Sequence, residues 1–147
     1  MSFDFALSKG DITIGSDGDV TKVRNTSKLV QDILKVIHTP IGGNPFYPSL
    51  GTLLTADTIG SNISQQFAET KIAASVTQAI QIIQNIQRRQ ESIQIVTPEE
   101  KVVKILRLDV SQNAQEPRQY DIQISVLTES LNSPVVDLPS FSISTTI

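Results

Sequence analysis

Residues 63–90 contain neither proline nor glycine, and that uninterrupted stretch constrains the fold more than any other feature of the chain. With apolar residues recurring at helical spacing, it predicts one long helix. At 100° per residue, Ala68, Ile72, Val76, Ala79, Ile83 and Ile86 share a face, with Ile80 and Ile82 on its flanks. That face is expected to be the core seam. Ile63 and Phe67 project from nearly the opposite side, so either the helix bends early or its first turns meet something other than the core. Gln78, Gln81, Gln84 and Gln87 line the polar side, where a free-standing helix more often carries Glu and Lys. Uncharged amides suit a surface that is later covered, because burying an amide costs less than burying a charge. A solvated face is the alternative.

Upstream, Phe3, Phe5 and Leu7 alternate with Asp4, Ala6 and Ser8, and Ile12 and Ile14 alternate again after Lys9-Gly10-Asp11. Two short strands around a glycine turn are expected. Gly15-Ser16-Asp17-Gly18-Asp19 reads as a second turn. Asn25, Thr26 or Ser27 is placed to cap a helix carrying Leu29, Val30, Ile33, Leu34 and Ile37 on one stripe and ending near His38, before the Thr39-Pro40 break. Residues 50–56 suggest one or two further helical turns, and Ile59-Gly60-Ser61-Asn62 supplies a stop and a new cap.

Between these helical patterns lies T-P-I-G-G-N-P-F-Y-P-S-L-G-T-L-L, residues 39–54. Pro40, Pro45 and Pro48 fix φ and push the preceding residue out of the helical region, while Gly42, Gly43 and Gly51 can take positive φ or admit a close backbone. The consequence is a shaped loop. The chain has five phenylalanines and two tyrosines, and two of these aromatics, Phe46 and Tyr47, sit in this connection. They are expected to form an ordered plug against the body or a partner. An ordinary packed loop is the bland alternative.

After the long helix, Ile93 and Val96 suggest a short strand. Residues 102–110 read as a longer one, with Leu106, Leu108 and Val110 inward against Arg107 and Asp109. Residues 111–118 are a polar connection. Tyr120, Ile122, Ile124 and Val126 then alternate with Asp121, Gln123 and Ser125, the cleanest period-two signal in the chain and an antiparallel partner for the preceding strand. Residues 131–147 carry Pro134 and Pro139, then F-S-I-S-T-T-I: a strand pattern without an obvious partner inside the chain. The fold class is therefore α+β: an N-terminal β-hairpin, a helical middle and a C-terminal antiparallel sheet packed on the long helix, in a single 1–147 domain.

Composition narrows the function. Net charge is −3, charged residues make up 18%, and no run of like charges occurs, so nucleic acid and anionic membrane are not expected partners. Cysteine is absent and His38 is the one histidine, which excludes disulfides and thiolate sites. No cofactor is implied. The N-terminus lacks a basic segment followed by an apolar one, and no apolar run approaches a membrane span, which predicts a soluble, unexported protein. Asp17 and Asp19 faintly resemble a calcium loop, but position 12 of that frame is Lys28. Glycoside hydrolysis needs two carboxyl groups flanking a bond. Glu69 lies on a helix flank, Glu91 at a helix end, and Glu99 and Glu100 follow Pro98 in a turn that reads as exposed; none forms a catalytic frame. His38 has no nucleophile-elbow serine or cysteine to serve and is expected to interact with the last helical carbonyls. The missing chemistry points to an assembly part rather than an enzyme.

The order of elements then becomes recognisable. G-D-I-T-I in the N-terminal strands, Val30-Gln31-Asp32-Ile33-Leu34, Thr39-Pro40-Ile41-Gly42-Gly43 and Pro48-Ser49-Leu50-Gly51-Thr52-Leu53-Leu54 resemble the GPW-like baseplate wedge, or sheath-initiator, family of contractile phage tails. The TssE subunit of type VI secretion baseplates is similar. Two departures stand out. Gly43 occupies the position of a usual glutamate, and the family's Glu-Pro-Arg signature, which normally follows the long helix, is replaced there by Arg88-Arg89-Gln90-Glu91-Ser92. Glu116-Pro117-Arg118 carries the tripeptide but reads as a turn between strands. The resemblance implies a structural virion protein, assembled in the host cytoplasm, whose partners are other wedge subunits, the tail sheath protein and tail tube or hub proteins. It implies partner-binding roles for Phe46, Tyr47, Gly43 and Gly51 in the loop, for Arg88, Arg89 and Glu91 in place of the signature, and for Phe141, Ile143 and Ile147 in a strand that templates the first sheath ring. A phage or secretion-system connector without sheath contact is the alternative.

Overall fold

The computed structural model describes residues 2–9, 11–54, 64–116, 119–131 and 135–142, the last of these by backbone. Gly10, residues 59–62, Ile63, Pro117, Arg118, Ile143 and Ile147, on which several expectations rest, lie outside the described residues.

The N-terminal alternation forms two-residue ladders. β1 (Asp4–Phe5) pairs antiparallel with β4 (Lys22–Val23), and β2 (Leu7–Ser8) with β3 (Asp11–Ile12). Ala6 joins them, its N–H donating to the Thr21 carbonyl at 2.8 Å and its carbonyl accepting from the Thr13 N–H at 2.9 Å. The expected hairpin is β2–β3, and β4 is an addition. The turn at 15–19 forms as expected around Gly18, with φ +80°, and Asp17 Oδ1 accepts from the Asp19 N–H at 3.2 Å.

α1 (Asn25–His38) buries Leu29, Ile33 and Ile37 of its predicted stripe; Val30 and Leu34 are half-buried at its edge, and Val36, outside the stripe, is buried as well. Its start differs. The cap position is Arg24, which makes no side-chain cap bond, while Asn25 takes φ +53° and its Oδ1 accepts from the Thr97 hydroxyl at 3.0 Å. Asparagine tolerates that conformation, so it ties down the later turn instead of capping. At the other end, His38 Nδ1 lies 2.8 Å from the Leu34 carbonyl, as expected.

α2 (Gln65–Gln90) is the long helix, capped by Ser64, whose Oγ accepts from the Phe67 N–H at 3.4 Å. Ala68, Ile72, Val76, Ala79, Ile80 and Ile83 are buried, and Phe67 is exposed on the far side. Two positions exchange roles. Ile86 is half-buried at the lip of a cleft, and Gln87 is 5% exposed. The sheet explains the exchange: Gln87 Nε2 donates to the Glu100 carbonyl at 2.5 Å and its Oε1 accepts from the Val102 N–H at 3.0 Å. Gln84 Nε2 donates to the Val103 carbonyl at 2.8 Å. Part of the amide face is thus a clamp that stitches helix to strand, while Gln81 stays in solvent.

The C-terminal sheet has the order β5 (Val102–Gln112), β6 (Gln119–Thr128), β7 (Val135–Ser142), antiparallel throughout. On β6, Tyr120, Ile122, Ile124 and Val126 are buried as predicted. On β5, Leu108 and Val110 meet the core as expected but Leu106 does not, because register shifts fall between Val102 and Lys104 and between Ile105 and Arg107. Each extra residue bulges out and rotates the remainder of the strand. Val102, Ile105, Leu108 and Val110 therefore meet the core, and Leu106 is exposed. The predicted strand at residues 93–96 is absent, and Ile93, 85% exposed, leads from the last helical turn into an irregular connection. The tail does have a partner within the chain, since β7 pairs with β6 from Ser125↔Val135 to Gln119↔Ser142. One apolar cluster unites α1, α2, β5, β6 and Leu54. Fully burying each Leu, Ile or Val there contributes about 1.5–3 kcal/mol.

Candidate interaction surface

The loop 39–54 is closed at its stem by backbone. Pro40 and Thr52 form a parallel bridge, the Ile41 N–H donates to the Thr52 carbonyl at 3.1 Å, and the Thr52 N–H donates to the Thr39 carbonyl at 2.9 Å. The buried Thr52 hydroxyl adds a bond to the Ile37 carbonyl at 3.1 Å, anchoring the stem to α1. The helical turns expected from Leu50 start later: residues 50–53 are not helical, Leu54 is helical and enters the core, and 55 and 56 lie outside the described residues.

Gly51 makes the stem feasible. It has φ +121°, and a Cβ there would overlap the Thr39 carbonyl oxygen and come within 2.9 Å of the Pro40 carbonyl carbon. Gly43 N–H donates to the Pro40 carbonyl at 2.9 Å, and a Cβ would crowd the same oxygen at 2.9 Å. Within the loop, Asn44 Oδ1 accepts from the Phe46 N–H at 3.0 Å and the Tyr47 N–H at 3.3 Å. An Asn side chain that mimics a turn carbonyl fixes the tip.

The two aromatics then part company. Tyr47 is half-buried, and its hydroxyl accepts from Arg89 Nη1 at 3.0 Å, with the guanidinium carbon 5.7 Å from the ring centroid. Phe46 is 94% exposed, so it is not a plug against the body. The bracket holds it outward. Arg88 is exposed and reaches Asn85 Oδ1 at 3.4 Å, while Glu91 turns toward the sheet and pairs with Lys101 Nζ at 2.6 Å. Lys101 also meets Glu129 at 3.3 Å; the hydrogen bonds it donates to Glu91 and to Glu129 hold its ammonium above the ordinary lysine range. Of the residues expected to act together, the fold unites Tyr47 with Arg89 and separates Glu91 from both. Phe141 stands opposite Tyr120 on β7.

Glu100 departs furthest from expectation. The turn after Pro98 read as exposed, yet this side chain is 0% exposed and neither carboxyl oxygen accepts a hydrogen bond of ordinary geometry. Burial holds its carboxyl above the ordinary glutamate range, with the Lys28 ammonium pulling the other way. One cleft, of about 300 Å³, is lined by Phe3 and Asp4, by Lys28, Asp32 and Lys35 of α1, and by Ile83 and Ile86 of α2. Its charged groups pair among themselves: Lys28 meets Asp32 at 2.6 Å, and Lys35 meets Asp4. None of Glu69, Glu91, Glu99 and Glu100 lines it, and no described cleft brings two of them together. Among the described residues, no helix is long and apolar enough to cross a membrane.

No family model matches the chain, and a search of curated proteins finds no match. Among solved structures, the crystal structure of a protein assigned as a tail lysozyme from Geobacter sulfurreducens has the same fold. The TM-score is 0.59 at 15% sequence identity, over 82% of this chain and 92% of that one. The chain thus shares the fold of a tail-associated protein.

Proposed function

We propose that this protein is a structural subunit of a contractile-tail baseplate wedge, without enzymatic activity, that docks near the tail tube and templates the first ring of sheath by strand pairing. The observation that carries the reading is the sheet order. β7 pairs with β6 along one side and, among the described residues, is an outer strand, which leaves its other side for an added strand. The opposite outer strand is less available, because Gln84 and Gln87 already occupy the Val102 N–H and the Val103 carbonyl, and two bulges interrupt it. Pro139 on β7 fits an edge strand, where a missing N–H is tolerated.

The bracket supports a second contact. An aromatic held in the open by a rigid stem loses little entropy on insertion into a partner pocket, and Arg89, bonded to the neighbouring Tyr47, favours an acidic rim there. Other wedge subunits are the expected occupants, with tube or hub proteins as neighbours, in the tail baseplate of a virion assembled in the host cytoplasm.

Deleting residues 138–147 tests the reading. Because β7 pairs with β6, the truncation also bares β6 at Tyr120 and Ile122, so a lower melting temperature is expected along with loss of sheath nucleation. A truncated protein that still nucleates sheath at the wild-type rate would overturn the role of β7.

A further inference from the structure

The four most exposed large apolar side chains among the described residues are Phe46 at 94%, Ile93 at 85%, Leu131 at 79% and Ile95 at 71%. They come from three segments that hydrogen bonds gather at one end of the molecule, where α2 stops and β5 begins. Phe46 precedes Tyr47, whose hydroxyl accepts from Arg89 in the last turn of α2. Ile93 and Ile95 follow that turn directly. Leu131 belongs to the turn after β6, which lies on the residues entering β5: the Ser130 N–H donates to the Pro98 carbonyl at 3.1 Å and the Glu129 N–H to the Lys101 carbonyl at 3.0 Å.

Backbone holds each of these side chains outward. The Asn44 side chain fixes the loop tip at Phe46. The Ile93 and Gln94 N–H groups both donate to the Gln90 carbonyl, at 2.9 Å and 2.8 Å, and the Thr97 hydroxyl fastens the other end of this connection to Asn25. Leu131 sits at φ +65°, a conformation costly for a leucine and kept only where its surroundings impose it. Apolar groups presented in fixed positions lose little entropy when a partner covers them.

The open charge beside Phe46 and Ile93 is positive. Glu91 and Glu129 are both engaged with the Lys101 ammonium, and Glu99 is half-buried in the turn after Pro98. Arg88 reaches only the Asn85 oxygen and Arg89 only Tyr47, so neither guanidinium forms an ion pair among the described residues. On a chain whose net charge is −3, two such groups favour a partner that brings carboxylates. A second copy meeting this face across a two-fold axis would set guanidinium against guanidinium. Two cations also fall short of the roughly 4–8 that recognition of anionic lipid headgroups uses. We propose that this end of the molecule is a docking face for an acidic segment of a partner protein, whose apolar side chains cover Phe46, Ile93, Ile95 and Leu131 while its carboxylates pair with Arg88 and Arg89. The proposal deepens the bracket contact, and it rests on the wedge reading only for which tail protein carries that segment.

Fluorescence anisotropy of the full chain with two labelled peptides, one alternating leucine with glutamate and the other leucine with lysine, tests the face. The glutamate peptide should bind at least about tenfold more tightly than the lysine peptide, and should lose most of that advantage in the double variant Arg88→Gln, Arg89→Gln. The double variant Ile93→Ser, Ile95→Ser should melt with the wild type and bind the glutamate peptide at least about tenfold more weakly. Equal binding of the two peptides, binding of neither, or undiminished binding by the serine variant would overturn the proposal. So would binding to phosphatidylserine vesicles that the serine variant abolishes, which would make the face a lipid contact. Should a variant fold poorly, the wild-type preference between the peptides decides. Sheath nucleation is a separate readout: a chain that prefers the glutamate peptide yet nucleates no sheath counts against the wedge role alone, and one that nucleates sheath yet binds neither peptide counts against this face alone.

Discussion

Replacing Gly51 by alanine adds one carbon at the tightest of the described glycine positions. Its φ of +121° is a region that L-residues occupy at a cost of about 1–3 kcal/mol. The added Cβ overlaps the Thr39 carbonyl oxygen and lies 2.9 Å and 3.0 Å from Pro40 C and Ile41 N, all backbone atoms that cannot rotate away. The stem must therefore part, with loss of the Thr52 N–H to Thr39 and Ile41 N–H to Thr52 bonds, each worth about 1 kcal/mol. The sum is about 3–5 kcal/mol, and at roughly 2–4 °C per kcal/mol for a domain of this size the melting temperature should fall by about 10 °C. Gly42→Ala is the matched control: its φ is +81° with nothing within 4 Å of the added carbon, so only the backbone term of about 1 kcal/mol applies. Circular-dichroism melts of both variants beside the wild type measure the difference. If Gly51→Ala melts within about 2 °C of Gly42→Ala, less than 1 kcal/mol separates them and the stem is not the rigid bracket inferred from it.

Gln87→Ala leaves the Glu100 carbonyl and the Val102 N–H buried without partners; a loss of about 2–4 kcal/mol is expected in urea unfolding, and a loss under about 1 kcal/mol would show that the clamp is replaceable. Phe46→Ala should leave the melting temperature unchanged, because the ring touches little of its own chain, yet weaken capture of wedge partners at least about tenfold in a pull-down titration. Asp4→Asn addresses acid stability. Burial alone would raise the Asp4 pKa, but the contacts from Lys35 and Gln31 outweigh it and hold the carboxyl below the ordinary aspartate range. Its contribution is thus present at neutral pH and lost as pH falls through the folded value. The variant should be slightly less stable at about pH 7, by about 0.5–1 kcal/mol, with a flatter acid limb in a series of melts across pH.

The elements that sequence resolves here are those whose periodicity acts alone. The stretch free of glycine and proline became α2, and the alternation from Tyr120 to Val126 became the buried face of β6. The failures share a cause: a distant segment decides the local outcome. Leu106 points outward because two bulges in β5 reset its phase, and bulges arise from pairing with β6. Gln87 is buried because the start of β5 needs a donor and an acceptor at that point. Glu100 comes shortly after Pro98 in an ordinary turn pattern, and its burial depends on α1 and the N-terminus, both remote in sequence. For the interaction surface, the prolines and glycines of residues 39–54 correctly signalled an ordered loop. Which aromatic would be held and which presented depended on Arg89, at the end of a different helix.

The native chain has no cysteine, so a single introduced thiol can be labelled cleanly. Asp137→Cys on β7, carrying a short photo-cross-linker and mixed with tube and sheath subunits, asks whether β7 is the edge that sheath joins, with Lys104→Cys on β5 as the comparison. If β7 templates the sheath, the adduct with a sheath subunit from position 137 far exceeds that from position 104. Equal adducts from both edges, or none from β7 under conditions where sheath assembles, would contradict that role.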